Sequence, residues 1–299
     1  MTPFALFPPE IPTHILSFMS IAELSAFASA CRSHRIWVMQ LLNRRKDQAL
    51  LRFVSDPIHL LNTIRSTSSV ISGSFALQFI VPAADFIEWQ SSDMDIYTTG
   101  AGSGDLLALF IKEGYATVTH VKHNHYSNPA IHAVTTLSKG RRSIDVVISR
   151  LNYSTFPIFY FHSTIVMNFI TADSIFSAYP MLTANYRGLR NPLSIMYDRH
   201  PDVTLAALEK YKILGFSIQS HEFSWPRGDT SAAWHCCGKS YNCRGQMRNT
   251  SDQGCLRLYV EKPGTIACAE TGVLIDLLNW RLGGGNCLEG GEPWPSYVY

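Results

Sequence analysis

Three aspartates and a Gly-Ser turn are the residues of this chain best suited to phosphate chemistry. Asp93 and Asp95 lie two residues apart in a segment that reads as a β-strand, so both are expected on the same face of that strand. Two carboxylates so close together raise each other's pKa unless a cation lies between them. Because Mg²⁺ prefers one or two carboxylates together with substrate phosphates, the pair predicts a divalent metal site.

Three further residues extend that pattern. Asp145, in a later strand, would complete a site for two metal ions about 3.5–4 Å apart. Gly73 and Ser74 follow a short apolar strand and precede a helix, where a glycine lets the backbone approach a phosphate and the hydroxyl and N–H groups donate to it. Each pattern alone is common, and a solvated strand end also explains Asp-x-Asp. The order of the patterns favours metal-dependent nucleotide transfer.

Residues 67–149, which hold these motifs, resemble the nucleotidyltransferase superfamily with its DNA polymerase β-like core. The resemblance implies that Asp93, Asp95 and Asp145 are catalytic metal ligands and that Gly73 and Ser74 bind the nucleotide. It also implies Mg²⁺ or Mn²⁺ as cofactor, a nucleoside triphosphate as substrate and an acceptor hydroxyl of unknown identity.

The segment between Ser74 and Asp93 is longer than in compact members of that superfamily, and with Pro82 and Trp89 it predicts an inserted loop. Residues 161–168 and 210–212 are similar to a fungal, mainly basidiomycete, group of proteins with this core. This second resemblance implies no particular activity.

The first fifty or so residues read as helices. A capping-box pattern starts at Ser20 and ends at Glu23, and apolar residues recur at helical spacing on either side of it. Residues 7–11 (Phe-Pro-Pro-Glu-Ile), the turn after Ser20 and Cys31-Arg32 resemble an F-box. That resemblance implies docking on the Skp adaptor of a cullin-type ubiquitin ligase, whereas an ordinary helical bundle is the simpler interpretation.

Composition limits the class of protein. An apolar fraction of 46% and a charged fraction of 16% are typical of a globular chain with a substantial core. A formal net charge of +2 gives no indication of nucleic-acid binding, which usually requires a basic excess. The chain shows no membrane span of about 20 apolar residues and no basic signal-peptide start, so we expect an intracellular protein, cytoplasmic or nuclear.

Cysteines concentrate in the last quarter of the chain. Without a secretion signal, reduced thiols or a metal are favoured over disulfides. Zinc is a weak prediction there because the spacing lacks paired Cys-x-x-Cys knuckles. The six cysteines in this last quarter are Cys236, Cys237, Cys243, Cys255, Cys268 and Cys287. The chain end from Gly283 onward, rich in glycine and proline, is expected to be a loose tail.

The predicted fold class is α+β, a small mixed sheet with flanking helices, preceded by a helical module. We predict three regions: residues 1–55 (F-box-like), 56–219 (nucleotidyltransferase-like core) and 220–299 (cysteine-containing extension). His162 is expected to be a buried hydrogen-bonded residue or to lie near the site. Lys210 and Lys212 would contact a triphosphate or face solvent.

Two alternatives to catalysis remain open from the sequence. In the first, the chain is an F-box-type adaptor with a non-catalytic nucleotidyltransferase-like fold. In the second, it is a relic of that fold without activity. Near-neutral charge argues weakly against a long polynucleotide as acceptor.

Overall fold

A computed structural model describes residues 7–8, 10–82, 91–122, 128–196, 201–225, 240–260, 278–283 and 297–298. The predicted inserted loop around Trp89 and most of the predicted tail lie outside these ranges. The helices in the described ranges are α1 (Glu10–Ser17), α2 (Ile21–Ala30), α3 (Arg32–Leu50), α4 (Pro57–Ser66), α5 (Gly73–Leu77), α6 (Ser103–Lys112), α7 (Pro180–Ala184), α8 (Pro192–Met196) and α9 (Pro201–Ile213). None of them is long and apolar enough to cross a bilayer.

The strands in the described ranges form three sheets, the largest of eight strands. They are β1 (Val70–Ser72), β2 (Asp93–Thr98), β3 (Ala116–Lys122), β4 (Ile131–Lys139), β5 (Arg142–Ser149), β6 (Asn168–Ile170), β7 (Ser174–Ser177), β8 (Arg187–Leu189), β9 (Ser217–Gln219), β10 (Arg248–Asn249), β11 (Leu256–Tyr259), β12 (Asn279–Arg281) and β13 (Tyr297–Val298). The order in the main sheet is β11-β7-β6-β1-β2-β5-β4-β3.

The main sheet is mixed, because β2 and β5 run parallel and its other pairs are antiparallel. The predicted α+β class with a mixed sheet and flanking helices is confirmed. The predicted small size of the sheet is wrong. The sheet grows beyond β1 because β6 and β7 pair there, and β11, from the C-terminal part of the chain, adds to β7.

The two faces of the main sheet are covered differently. On one face, Ile71, Met94 and Ile144 join a single apolar cluster with Leu24 of α2 and Leu42 of α3. On the other face, a second cluster contains the alternate residues of the same strands and side chains from the C-terminal part of the chain, among them Val70, Tyr97, Val147, Phe176 and Trp280. The strand period of two residues produces this division.

Basic side chains of α3 and of the turn that follows it attach the N-terminal helices to the sheet region. Arg45 donates to the carbonyl of Gln78 at 2.8 Å, and Lys46, only 3% exposed, donates to the carbonyl of Ala172 at 2.8 Å. Arg52 donates to the carbonyl of Ser91 at 2.5 Å. Basic residues 44–46 are typical of a helix end, but α3 continues to Leu50, and Arg45 and Lys46 are used inside the protein.

The local predictions for the first helices agree with the structure. Ser20 and Glu23 form the predicted capping box, with the Ser20 N–H donating to the Glu23 carboxylate at 2.7 Å. Asp56 caps α4 before Pro57. Whether residues 1–55 act as a separate module stays a prediction.

Candidate functional site

Parallel pairing of β2 and β5 brings the three predicted aspartates together. Asp95 lies directly opposite Asp145, and Asp93 lies opposite Ser143. Paired residues on neighbouring strands share a face, and Asp93 shares the face of Asp95 by the strand period. The intervening Met94 points into the first apolar cluster. The predicted grouping of three carboxylates on one sheet face is therefore present.

The Gly-Ser turn lies against Asp95. Ser72, the last residue of β1, pairs with Asp95 across the antiparallel β1–β2 ladder. Gly73 follows with φ of +66°, in the left-handed region that favours glycine. A Cβ atom built on Gly73 would overlap Asp95 Oδ2 and lie 3.2 Å from its Cγ. Glycine is therefore required at this position both for the backbone turn and for the approach of the carboxylate.

Ser74 reaches the site through a second serine. The Ser74 and Ser91 hydroxyl oxygens are 3.0 Å apart, and the Ser91 hydroxyl lies 2.7 Å from Asp93 Oδ1 and 2.6 Å from the Asp93 carbonyl. Since Arg52, two residues after the end of α3, holds the carbonyl of Ser91, the N-terminal region takes part in positioning Asp93. Sequence reasoning missed Ser91, which had no signal beyond its place before the strand.

The carboxylates sit in an unfavourable environment when no cation is present. Burial of the Asp95 carboxyl group, with the neighbouring charges of Asp93 and Asp145, raises its pKa to about 8, although the residue as a whole keeps some exposure. Burial and the charge of Asp93 also raise the pKa of Asp145. A hydrogen bond from the Thr136 side chain acts in the opposite direction. A cation near these groups would favour their ionised forms.

Basic and aromatic side chains from later in the chain act on the same carboxylates. The charge of Lys210 on α9 opposes the rise in the pKa of Asp95. Burial, Asp95 and Asp93 raise the pKa of the Tyr211 hydroxyl. Lys212 instead pairs with Glu209 in solvent at 3.1 Å. Of the two lysines singled out in the sequence, only Lys210 is thus electrostatically linked to Asp95.

His162 lies beside this group. Its ring centroid is 5.6 Å from that of Tyr211, and burial, Lys210 and Arg190 lower the pKa of His162 to about 4. Its Nδ1 is buried and has no hydrogen-bond partner in the described part of the chain. Of the two expectations for His162, proximity to the site agrees with this placement. Sequence reasoning missed Arg190, because only the tertiary fold brings its charge close to His162.

The donor set suits a hard divalent cation, but it does not form a finished metal site. Asp145 Oδ1 is buried and lacks a hydrogen-bond partner within the described residues, as expected of an oxygen that could serve a cation. No group of three or more His, Cys, Asp or Glu residues in those same ranges is arranged to hold a metal ion. Asp93, Asp95 and Asp145 would therefore have to turn their carboxylates together around Mg²⁺.

The predicted zinc ligands are only partly visible. Cys243 and Cys255 form no disulfide within the described residues, and Cys236, Cys237, Cys268 and Cys287 lie outside them. Burial raises the pKa of Cys255 to about 12, and Arg248 lies 3.3 Å from its sulfur. Cys255 is therefore a neutral thiol in this arrangement.

Comparison of the chain with protein-family models, with curated proteins and with solved structures found no match.

Proposed function

We propose that this protein is a metal-dependent nucleotidyltransferase that moves a nucleotide from a nucleoside triphosphate to an acceptor hydroxyl. The observation that carries the proposal is the parallel register that sets Asp95 opposite Asp145, with Asp93 on the same face. The Gly73 turn also supports the proposal, because it packs directly against the Asp95 carboxylate and so lies beside the group of aspartates.

Each residue has a defined part in the proposed reaction. Asp93 and Asp95 would hold Mg²⁺ or Mn²⁺, which when bound neutralises phosphate charge and acidifies the acceptor hydroxyl. Asp145 takes the proton of that hydroxyl. The hydroxyl oxygen forms a bond to the α-phosphorus, and the bond between the α-phosphorus and pyrophosphate breaks. Gly73 and Ser74 would receive the triphosphate through backbone N–H groups and the serine hydroxyl.

The first test is binding of nucleotide. Thermal unfolding of the full chain would be measured with each of the four ribonucleoside triphosphates, with and without Mg²⁺. A triphosphate that binds the folded state raises its stability by about 2.7 kcal/mol at a hundred times its dissociation constant. A lack of any shift with all four triphosphates would count against the proposal.

The second test is transfer of labelled nucleotide. Replacing Asp93 and Asp95 together by asparagine is expected to lower incorporation by at least about a hundredfold, the scale on which an electrostatic contact to a transition state is lost. The matched control is Asp105→Asn, since Asp105 is an exposed aspartate on α6. Incorporation that persists in the double variant would exclude this site.

A second candidate function is that of a ubiquitin-ligase adaptor, and an exposed apolar stripe favours it. Phe7, Ile11, Ile15 and Phe18 recur at helical spacing along α1 and its two ends, each between 44% and 57% exposed. This stripe is the surface that an F-box-like interaction with a Skp adaptor would use. Apolar side chains repeated along one helix face are typical of helix-in-groove recognition.

Affinity capture with a Skp protein tests the adaptor function. The double variant Ile11→Glu/Ile15→Glu of the full chain is expected to lose capture, because two charges would be placed in an apolar contact. Val203→Glu is the control, since Val203 is 69% exposed on α9, away from the stripe. Equal capture of all three proteins, or capture of none, would rule out this use of the stripe.

A further inference from the structure

A cavity of about 670 Å³ lies between α2, the start of α7 and the C-terminal segment 240–257. Its volume is within the range of about 300–1,000 Å³ typical of small-molecule sites. Ser25 comes from α2, Met181 from α7, and Tyr241, Asn242 and Arg257 from the C-terminal segment. The residues of the carboxylate site do not line this cavity, so the proposed nucleotide transfer leaves it unexplained.

The charge in the cavity is positive and local. Among the described residues that line the cavity, Arg257 is the one with a charge, and none is an aspartate or glutamate. The guanidinium stacks 5.5 Å from the ring centre of Phe176, and one amino group donates to the Thr250 carbonyl at a long 3.5 Å. Its Nε is buried without a hydrogen-bond partner in the described ranges, where Arg257 also makes no ion pair. The terminal amino groups of the guanidinium, and not the buried Nε, are therefore the donors that an anion in the cavity could reach.

A second arginine, behind the wall of the cavity, differs in this respect. Arg248 is 1% exposed and forms a bidentate ion pair with Asp252. Its Nε lies 2.6 Å from Oδ2 and its Nη2 lies 3.0 Å from Oδ1. Its charge is compensated inside the protein. Arg257, unlike Arg248, therefore has no carboxylate partner in the described part of the chain.

The aromatic wall of the cavity is held in place by Arg248. The Arg248 guanidinium lies 4.7 Å from the ring centre of Tyr179 and 5.1 Å from that of Tyr241, and both tyrosines line the cavity. Tyr241 also packs on the backbone of Gly254, where an added Cβ would overlap the tyrosine ring. Such support preforms a wall, which lowers the entropic cost of binding.

We propose that this cavity binds a small organic anion. A carboxylate or phosphate group would pair with Arg257, because the guanidinium fork matches the geometry of both groups. The body of the ligand would pack on Tyr241 and Met181. Hydrogen bonds would come from Ser25 and Asn242. The ligand would contact the N-terminal helices and the C-terminal segment at once.

Calorimetric titration of the full chain tests the proposal with three probes of one shape: phenyl phosphate, benzoate and the neutral benzyl alcohol. We expect saturable binding of at least one anion with a stoichiometry of one. Benzyl alcohol is expected to bind at least about tenfold more weakly, because it cannot form a charge-assisted pair. The order of the two anions shows whether the acidic group is a phosphate or a carboxylate.

Variants locate the binding. Arg257→Gln is expected to weaken the anion at least about tenfold, the effect of losing a charged hydrogen bond. The control Arg141→Gln removes an equal charge from the exposed turn between β4 and β5 and should change nothing. If Arg257→Gln does not fold, Ser25→Trp decides the question, because it fills the cavity from α2 and leaves Arg257 intact.

Three results would overturn the proposal. One is that neither anion saturates the protein at about 10 mM, a concentration that would detect millimolar dissociation constants. Another is that a folded Arg257→Gln protein binds as tightly as the original chain. The third is that Ser25→Trp, with an unchanged unfolding temperature, leaves the affinity unaltered.

Discussion

Asp95 occupies the space that a side chain at residue 73 would need. The overlap of a built Cβ with Asp95 Oδ2 and the left-handed φ of Gly73 are separate constraints at one residue. The first comes from the neighbouring strand and the second from the turn itself. Because they are separate, substitution can measure each of them.

Gly73→Ala is predicted to lower the free energy of unfolding more than Gly140→Ala. Gly140 has nearly the same φ, +62°, but nothing lies within 4 Å of its built Cβ. Both variants carry the backbone cost, and only Gly73→Ala adds a steric overlap, which should contribute about 1–3 kcal/mol more. Urea unfolding of the two variants measures the difference. Equal losses would mean that the Asp95 carboxylate moves aside without cost.

The pKa of Asp95 predicts how stability varies with pH in the presence of a chelator. The folded-state pKa of about 8 exceeds the ordinary aspartate pKa of 3.8, so between these two pH values the unfolded chain loses the proton first. The free energy of unfolding should therefore fall as pH rises from about 4 to 8, by at most about 1.4 kcal/mol per unit for one proton.

Asp95→Asn removes that titration. The fall in the free energy of unfolding with rising pH should therefore become smaller by the contribution of Asp95. Urea unfolding at several pH values between 5 and 8 in the presence of a chelator would give both slopes. Asp105→Asn, an exposed substitution on α6, serves as the control and should keep the original slope. An unchanged slope in Asp95→Asn would show that this carboxyl group ionises normally.

Ser91→Ala is predicted to lower nucleotide-dependent stabilisation with a modest cost to the fold. The Ser91 hydroxyl lies 2.7 Å from Asp93 Oδ1 and 3.0 Å from the Ser74 hydroxyl, so its loss frees both groups. A typical net loss is about 1 kcal/mol for one hydrogen bond. Ser92→Ala is the neighbouring control, since Ser92 is exposed. Thermal shifts with triphosphate and Mg²⁺ that are equal in the two variants would argue against a positioning role for Ser91.

Arg248→Met is predicted to be the most destabilising of these substitutions. It would leave the Asp252 carboxylate, whose side chain is only 11% exposed, without its cation. Breaking a buried pair in this way typically costs about 3–5 kcal/mol. Adding Asp252→Asn should restore part of the loss, because no unpaired charge remains and the amide oxygen can still accept from the backbone N–H groups of Gly254 and Cys255.

Lys212→Met is the control for that substitution. The pair between Lys212 and Glu209 is solvent-exposed, with side chains 55% and 61% accessible, so a change within about 0.5 kcal/mol is expected. Denaturant unfolding of all three variants tests the set. Similar losses for Arg248→Met and Lys212→Met would show that the aromatic rings and Asp252 do not depend on the arginine.

Local patterns predicted the elements that carry the aspartates. The strand with Asp93 and Asp95, the Gly-Ser turn between β1 and α5 and the capped start of α2 agree with the structure to within a few residues. Each depends on interactions within a short stretch of chain: strand alternation, a tight turn or a side-chain cap. Such signals can be recognised in the sequence without knowledge of the tertiary fold.

Long-range packing determined what the sequence did not predict. The helical spacing of Leu205, Leu208 and Ile213 predicts one apolar face of α9, but Leu205 and Ile213 are 53% and 78% exposed, whereas Leu208 and Tyr211 are buried. The sheet has eight strands because β11, from the far end of the chain, adds to β7. Likewise, the placement of Arg190 near His162 has no local signature.

The contacts of α3 have a practical consequence for producing this protein in parts. A reading frame that starts at residue 56 would omit Arg45, Lys46 and Arg52, whose cations hold the carbonyls of Gln78, Ala172 and Ser91. It would also leave the apolar face of the main sheet without the helices that share its core. We expect such a polypeptide to aggregate when expressed alone, and to be rescued when the N-terminal helices are supplied as a separate chain.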